Sequence, residues 1–124
     1  MAQTYLSVHP RPTTKTPIIF LGYVESGSRL ELRASLEFNG GFPINLKCQC
    51  ADYSSMQSQI YSKLGHFMEK LKEIGVPRFR LANGGDFEQF PPMLGCKPVP
   101  ANIVGDFTGR ILYFIKTFMS PEFA

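Results

Sequence analysis

Residues 29–75, RLELRASLEFNGGFPINLKCQCADYSSMQSQIYSKLGHFMEKLKEIG, change their hydrophobic period partway along, and that change decides the fold. From Arg29 to Phe38 the alternation is complete, with Leu30, Leu32, Ala34, Leu36 and Phe38 on one side and Arg29, Glu31, Arg33, Ser35 and Glu37 on the other. A period of two is that of a half-buried antiparallel strand. Asn39-Gly40-Gly41 suits the positive φ angles of a tight hairpin, after which Phe42, Ile44, Leu46, Cys48 and Cys50 resume the alternation against Asn45, Lys47 and Gln49. Pro43 cannot donate to a ladder, which places it at an unpaired edge or at the start of its strand.

Beyond Asp52 the period becomes helical. Met56, Ile60, Leu64, Phe67, Leu71 and Ile74 fall on one face, opposite Gln57, Ser58, Ser62, Lys63, His66, Glu69, Lys70 and Glu73. Asp52 or Ser54 supplies an N-cap, Lys70 and Lys72 lie near the negative end of the dipole, and Gly75 with Pro77 stops the helix. The pattern predicts a single helix from Asp52 to Ile74 with one face buried on a sheet.

On the N-terminal side, Ile18–Val24 reads as a buried strand, with Gly22 marking a bulge or a close backbone approach, and residues 25–28 form a turn. Residues 1–16, with Pro10 and Pro12 beside His9 and Arg11, read as an extended arm preceding a domain over 17–124. On the C-terminal side, Arg78–Ala82 is expected as a short strand. Residues 86–106 read as an irregular segment rich in proline and glycine, and 109–118 as an aromatic central strand. The expected class is α+β: an antiparallel sheet of about four to five strands with one main amphipathic helix on one face.

At 124 residues and 44% hydrophobic, the chain has room for one core and is too apolar to be a disordered tail. Eleven Phe and no Trp imply that the core is filled largely by phenylalanine rings. A net charge of +3 from interspersed residues is too weak to signal nucleic-acid binding by itself. The opening segment lacks an apolar run behind basic residues, so no secretory leader is expected, and no stretch reaches the roughly 18 apolar residues of a spanning helix. Three cysteines, two of them one residue apart, point to a reducing compartment, and a cytoplasmic location is expected.

Chemistry-bearing patterns are sparse. Cys48, Cys50, Cys96 and His66 together have the donor types of a Cys₃His zinc site, but without a second closely spaced pair the thiols are expected to be reduced packing residues, with no metal and no cofactor. His66, beside Lys63, Glu69 and Lys70, and His9 lack a nearby Ser, Cys or Asp constellation suggesting a nucleophile and base, Asp86 and Glu88 read as turn formers, and Gly84-Gly85-Asp86 lacks the lysine of a phosphate loop. No catalytic residue is predicted. Two surfaces remain. Pro10 and Pro12 of the arm, with Phe87, Phe90, Met93 and Leu94 of the irregular segment, are expected to mediate self-association or contact with a protein or membrane-surface partner. Arg29, Arg33, Lys47, Arg78 and Arg80, joined by Arg110, are the candidates for a basic surface.

The run Pro91-Pro92-Met93-Leu94, then Asn102-Ile103, then Gly109 and Ile111 within an expected strand, resembles the C-terminal part of rhabdovirus matrix proteins of the vesiculovirus type. The order of the Leu30–Phe38 strand, Phe42-Pro43 and the helix is similar to the start of that family's core. The resemblance implies a self-associating α+β domain that condenses ribonucleoprotein at the inner face of a membrane, located in the host cytoplasm or the virion. The family's lysine-rich N-terminus and its proline–tyrosine motif are absent. The expected function is therefore that of a non-enzymatic interaction or assembly protein, matrix-like or accessory. A sheet-based binder of single-stranded nucleic acid and a small enzyme without a recognisable motif are the alternatives.

Overall fold

The computed structural model describes residues 15–119. Its sheet is built on three long antiparallel strands, β1 (Ile18–Ser26), β2 (Arg29–Phe38) and β3 (Gly41–Cys50). The β2–β3 turn is Asn39-Gly40, both at positive φ (52° and 85°), the type I′ pattern that matches strand twist. The Gly40 N–H also donates to a Glu37 carboxylate oxygen at 2.8 Å, which tightens the turn.

Two further strands of two residues each, β4 (Arg80–Leu81) and β5 (Lys97–Pro98), both pair with the free side of β1. β4 runs parallel to it beside Ile18 and Ile19, and β5 antiparallel beside Gly22 and Tyr23. β1 is thereby central, with both faces buried from Ile18 to Leu21, whereas β3 is the outer strand of the sheet among the described residues. The α+β class and the antiparallel meander are as the alternation implies.

The expected single helix is two. α1 (Tyr53–Ser62) ends and α2 (Leu64–Ile74) begins around Lys63. The Ser62 hydroxyl donates back to the Gln59 carbonyl at 2.7 Å and the Lys63 N–H turns to the Ile60 carbonyl at 3.1 Å, tightening the last turn of α1. The apolar stripe survives the break: Met56 and Ile60 of α1 and Phe67 and Leu71 of α2 are fully buried against Leu32, Ala34 and Leu36. Of the two candidate caps, Asp52 and Ser54, it is Asp52 that caps α1, accepting from the Ser55 N–H at 2.8 Å.

The C-terminal segment expected as a central strand is helical. After the short α3 (Ala101–Val104), α4 (Phe107–Phe114) runs directly into a π-helical turn, Ile115–Met119. Phe107, Ile111, Ile115 and Met119 are its buried residues, and the Phe107 ring meets Phe67 edge-on at 5.7 Å. Steps of four overshoot an α-helical turn by about 40°, so a stripe at that spacing drifts off the core. The wider turn at the end counters the drift and returns Met119 to it.

The sheet's other face carries a second, smaller core. The Phe20 ring is fully buried there between Phe87 (5.2 Å, edge-on) and Phe90 (5.4 Å), with Phe42 at 6.5 Å and Met93 alongside. Phe42 was expected on the same side as Ile44. Pairing Leu36 with Ile44 but Phe38 with Gly41 leaves Phe42 and Pro43 opposite the single Glu37, and this bulge turns Phe42 to the opposite face. The irregular segment that covers Phe20 is held by two 3₁₀ turns, Gly84–Glu88 and Pro91–Met93.

Candidate functional site

The expected partner-binding loop is largely internal. Phe87 and Met93 are buried and Phe90 is half-buried, and all three pack in the second core. Leu94, 55% exposed, is the one that faces outward. The apolar composition of 87–94 was legible, but its direction was not, because the ring that it covers, Phe20, lies far away in sequence. Pro10 and Pro12 lie outside the described residues.

The basic candidates divide into two groups. Arg29, Arg33 and Lys47 belong to β2 and β3, with Arg33 directly opposite Lys47. Arg33 is tied to Glu31 at 2.7 Å, which raises its guanidinium pKa, and it also reaches the Cys96 sulfur at 3.8 Å. Arg80 holds both Asp86 oxygens, at 2.7 and 3.0 Å, beside the other edge, and Arg78 donates to the Thr16 hydroxyl at 3.3 Å. The Phe20 core lies between the groups. Two of the five cations are thus paired internally, and the two groups are attached to different edges of the described sheet. Arg110 stacks over the Tyr61 ring at 4.9 Å.

The possible zinc donors do not converge. Cys48 and Cys50 face the helical layer, Cys96 lies on the opposite face beside Arg33, and His66 is exposed on α2. No group of three or more His, Cys, Asp or Glu among the described residues is arranged to hold a metal ion. Burial pushes the thiols of Cys50 and Cys96 upward, away from the thiolate form a nucleophile needs, although Arg33 partly opposes this at Cys96. Asp86 is depressed, first by the Arg80 hydrogen bonds and further by the Asn83 N–H. Its oxygens are occupied by that pairing and by the cap of the first 3₁₀ turn, in which Asn83 and Asp86 bond reciprocally at 2.8 and 3.1 Å. The turn-forming role read from the sequence is the one it has.

Among the described residues, two surface features stand out beyond these internal roles. The first is on the C-terminal helix. Once Ile111, Ile115 and Met119 turn inward, Leu112, Tyr113 and Phe118 are left outward, at 46%, 68% and 66% exposure. The Phe118 ring rests on half-buried Phe114 at 5.3 Å. Reading 109–118 as a strand hid this surface, although the four-residue spacing from Phe107 to Met119 was a visible helical signal. The second is a cleft of about 380 Å³ between outer strand β3 and α2, lined by Pro43, Ile44, Asn45, Leu46, His66, Glu69 and Lys70.

Among the described residues no helix is long and apolar enough to cross a membrane. No family model, no curated protein and no solved structure matches the chain.

Proposed function

We infer that this chain is a non-enzymatic assembly protein that self-associates through the outward side of its C-terminal helix. The observation that carries this is that Leu112, Tyr113 and Phe118, all on the C-terminal helical segment, make up three of the five large apolar side chains left exposed among the described residues. Rings that keep most of their surface in water gain most by meeting a second apolar surface, and aromatic residues are enriched in the cores of such contacts. The assembly surface thus moves from the 87–94 loop to α4 and the π-helical turn that follows it. A matrix-like role at a membrane face is the more specific form of the reading. It rests only on short motifs, since Gly109 and Ile111 sit in a helix and not in a strand. The single-stranded nucleic-acid alternative is less well supported, because Arg33 and Arg80 are already paired with carboxylates.

Sedimentation of the full chain over a wide concentration range tests the inference. The mass is expected to rise with concentration and to stay at the monomer value when Tyr113→Ser and Phe118→Ser are combined. A wild type that remains monomeric at high concentration and low salt overturns it. Association that weakens steeply with salt and requires added single strands would instead be the signature of phosphate binding.

A further inference from the structure

The outer strand β3 pairs with β2 along one side, and among the described residues nothing pairs with its other side. An edge of that kind presents a row of N–H and C=O groups that an extended chain can satisfy. Pro43 interrupts the row near its start, but residues 44–50 contain no proline. Along them Asn45, Lys47 and Gln49 are exposed and alternate with Ile44, Leu46 and Cys48 of the helical side. The cleft between β3 and α2 lies on that helical side. Its floor includes Ile44 and Leu46, and its wall is His66, Glu69 and Lys70. On the opposite side of the strand stands Lys47, the only charged residue of β3, for which the described structure gives no salt bridge. Arg33, directly across from it, is turned to Glu31.

We propose that this edge takes an extended acidic-apolar peptide as an added strand, with apolar side chains at alternate positions in the cleft and a carboxylate at an intervening position beside Lys47. The alternation follows from strand geometry: side chains of an added strand point in turn to the cleft and to the Lys47 side. The carboxylate follows from charge, because opposite charges in directly facing positions stabilise a strand pair and like charges destabilise it. A second copy of β3 does not meet this requirement. GFPINLKCQC contains no Asp or Glu, so no register of β3 against itself sets a carboxylate opposite Lys47, and one register sets lysine against lysine. Residues 1–14 contain no Asp or Glu either, and residues 120–124 contain one, Glu122, directly after Pro121, which has no N–H to give a ladder. The site is separate from the α4 strip and does not rest on the self-association reading.

The test is a titration of the full chain with the capped peptide Ser-Val-Glu-Val-Glu-Val-Ser, followed by amide chemical shifts and by anisotropy of a labelled copy. Two comparison peptides are used, one with Lys in place of Glu and one N-methylated at alternate positions. The acidic peptide is expected to shift amides of residues 41–50 and 66–70. Binding should weaken about tenfold or more with Lys47→Glu, which should also favour the lysine peptide. N-methylation, which removes ladder donors without changing side chains, should abolish binding, and the Tyr113→Ser/Phe118→Ser variant should still bind. Lys47 is exposed, so the fold should tolerate the change; if circular dichroism shows otherwise, Lys47→Gln gives the same readout with a smaller loss. Equal binding of the N-methylated or lysine peptide, shifts centred on α4, or no binding at about 1 mM peptide would each overturn the proposal.

Discussion

Phe20 has no exposed surface and touches three other rings, although it points away from the main core. Phe20→Ala should therefore cost about 3–5 kcal/mol, as large-to-small changes in packed cores do, seen as a lower urea midpoint with unchanged slope. The same core explains Gly22. A Cβ added there would lie 2.6 Å from the edge of the Phe87 ring, with the Cys96 Cβ and Lys97 carbonyl at 3.2 Å. Gly22→Ala should destabilise by roughly 1–3 kcal/mol by displacing the ring that closes over Phe20. The sequence left a bulge or a close approach open at Gly22; the register runs through it without a shift, and it is the close approach that is found, to a ring the sequence did not identify. Asp86 gives a pH-dependent counterpart. Its folded pKa lies below the ordinary carboxylate value of about 3.9, so its stabilisation is present above that value and is lost as pH falls through the lower folded one. Asp86→Asn should lower stability at neutral pH and flatten the acid limb of a plot of unfolding free energy against pH. An unchanged limb would mean that the Arg80 pairing adds nothing.

The long strands were readable from their alternation or their uniformly apolar run, even where, as at Ser35 and Glu37 of β2, the second face proved buried; the C-terminal helix was not. β2 alternates without a break, and its register against β1 and β3 keeps Leu32, Ala34 and Leu36 inward as the pattern requires. The run Ile111–Ile115 is apolar at every position, so the two periods cannot be told apart within it. Substitution separates them. In α4, Ile111→Ala should cost about 2–5 kcal/mol, because that side chain is fully buried, while Tyr113→Ala should change stability by less than about 1 kcal/mol. A strand would put both on one face and make the two losses similar. Phe42 shows a different limit: the alternation around it is regular, yet one extra residue opposite Glu37 reverses its direction. The helix break at Lys63 was likewise hidden, since the apolar stripe runs through it unchanged. The assembly and peptide surfaces inherit these limits, one lying on the misread helix and the other depending on which strand is outermost.

At the scale of the molecule, the long strands and paired helices come from consecutive sequence, whereas the closing of the β1 edge does not. Arg80 comes back to Ile18, and Lys97 to Tyr23, across most of the described chain, and each brings only two residues of pairing. Loop closure of that length must be completed before such short pairings contribute, so residues 80–98 are expected to open before the β1–β2–β3 meander. Opening would release Phe87 and Met93 from Phe20 and uncover Ile18-Ile19-Phe20-Leu21, an uncharged stretch of high β propensity with its hydrogen-bonding edge unpaired. The short closing strands are therefore expected to guard against aggregation, with shelf life limited by how often they detach more than by how stable the helical core is. Met93→Ala should shorten the lag before light scattering rises on mild warming, with hydrogen exchange faster at Ile19–Tyr23 than at the β2–β3 pairing.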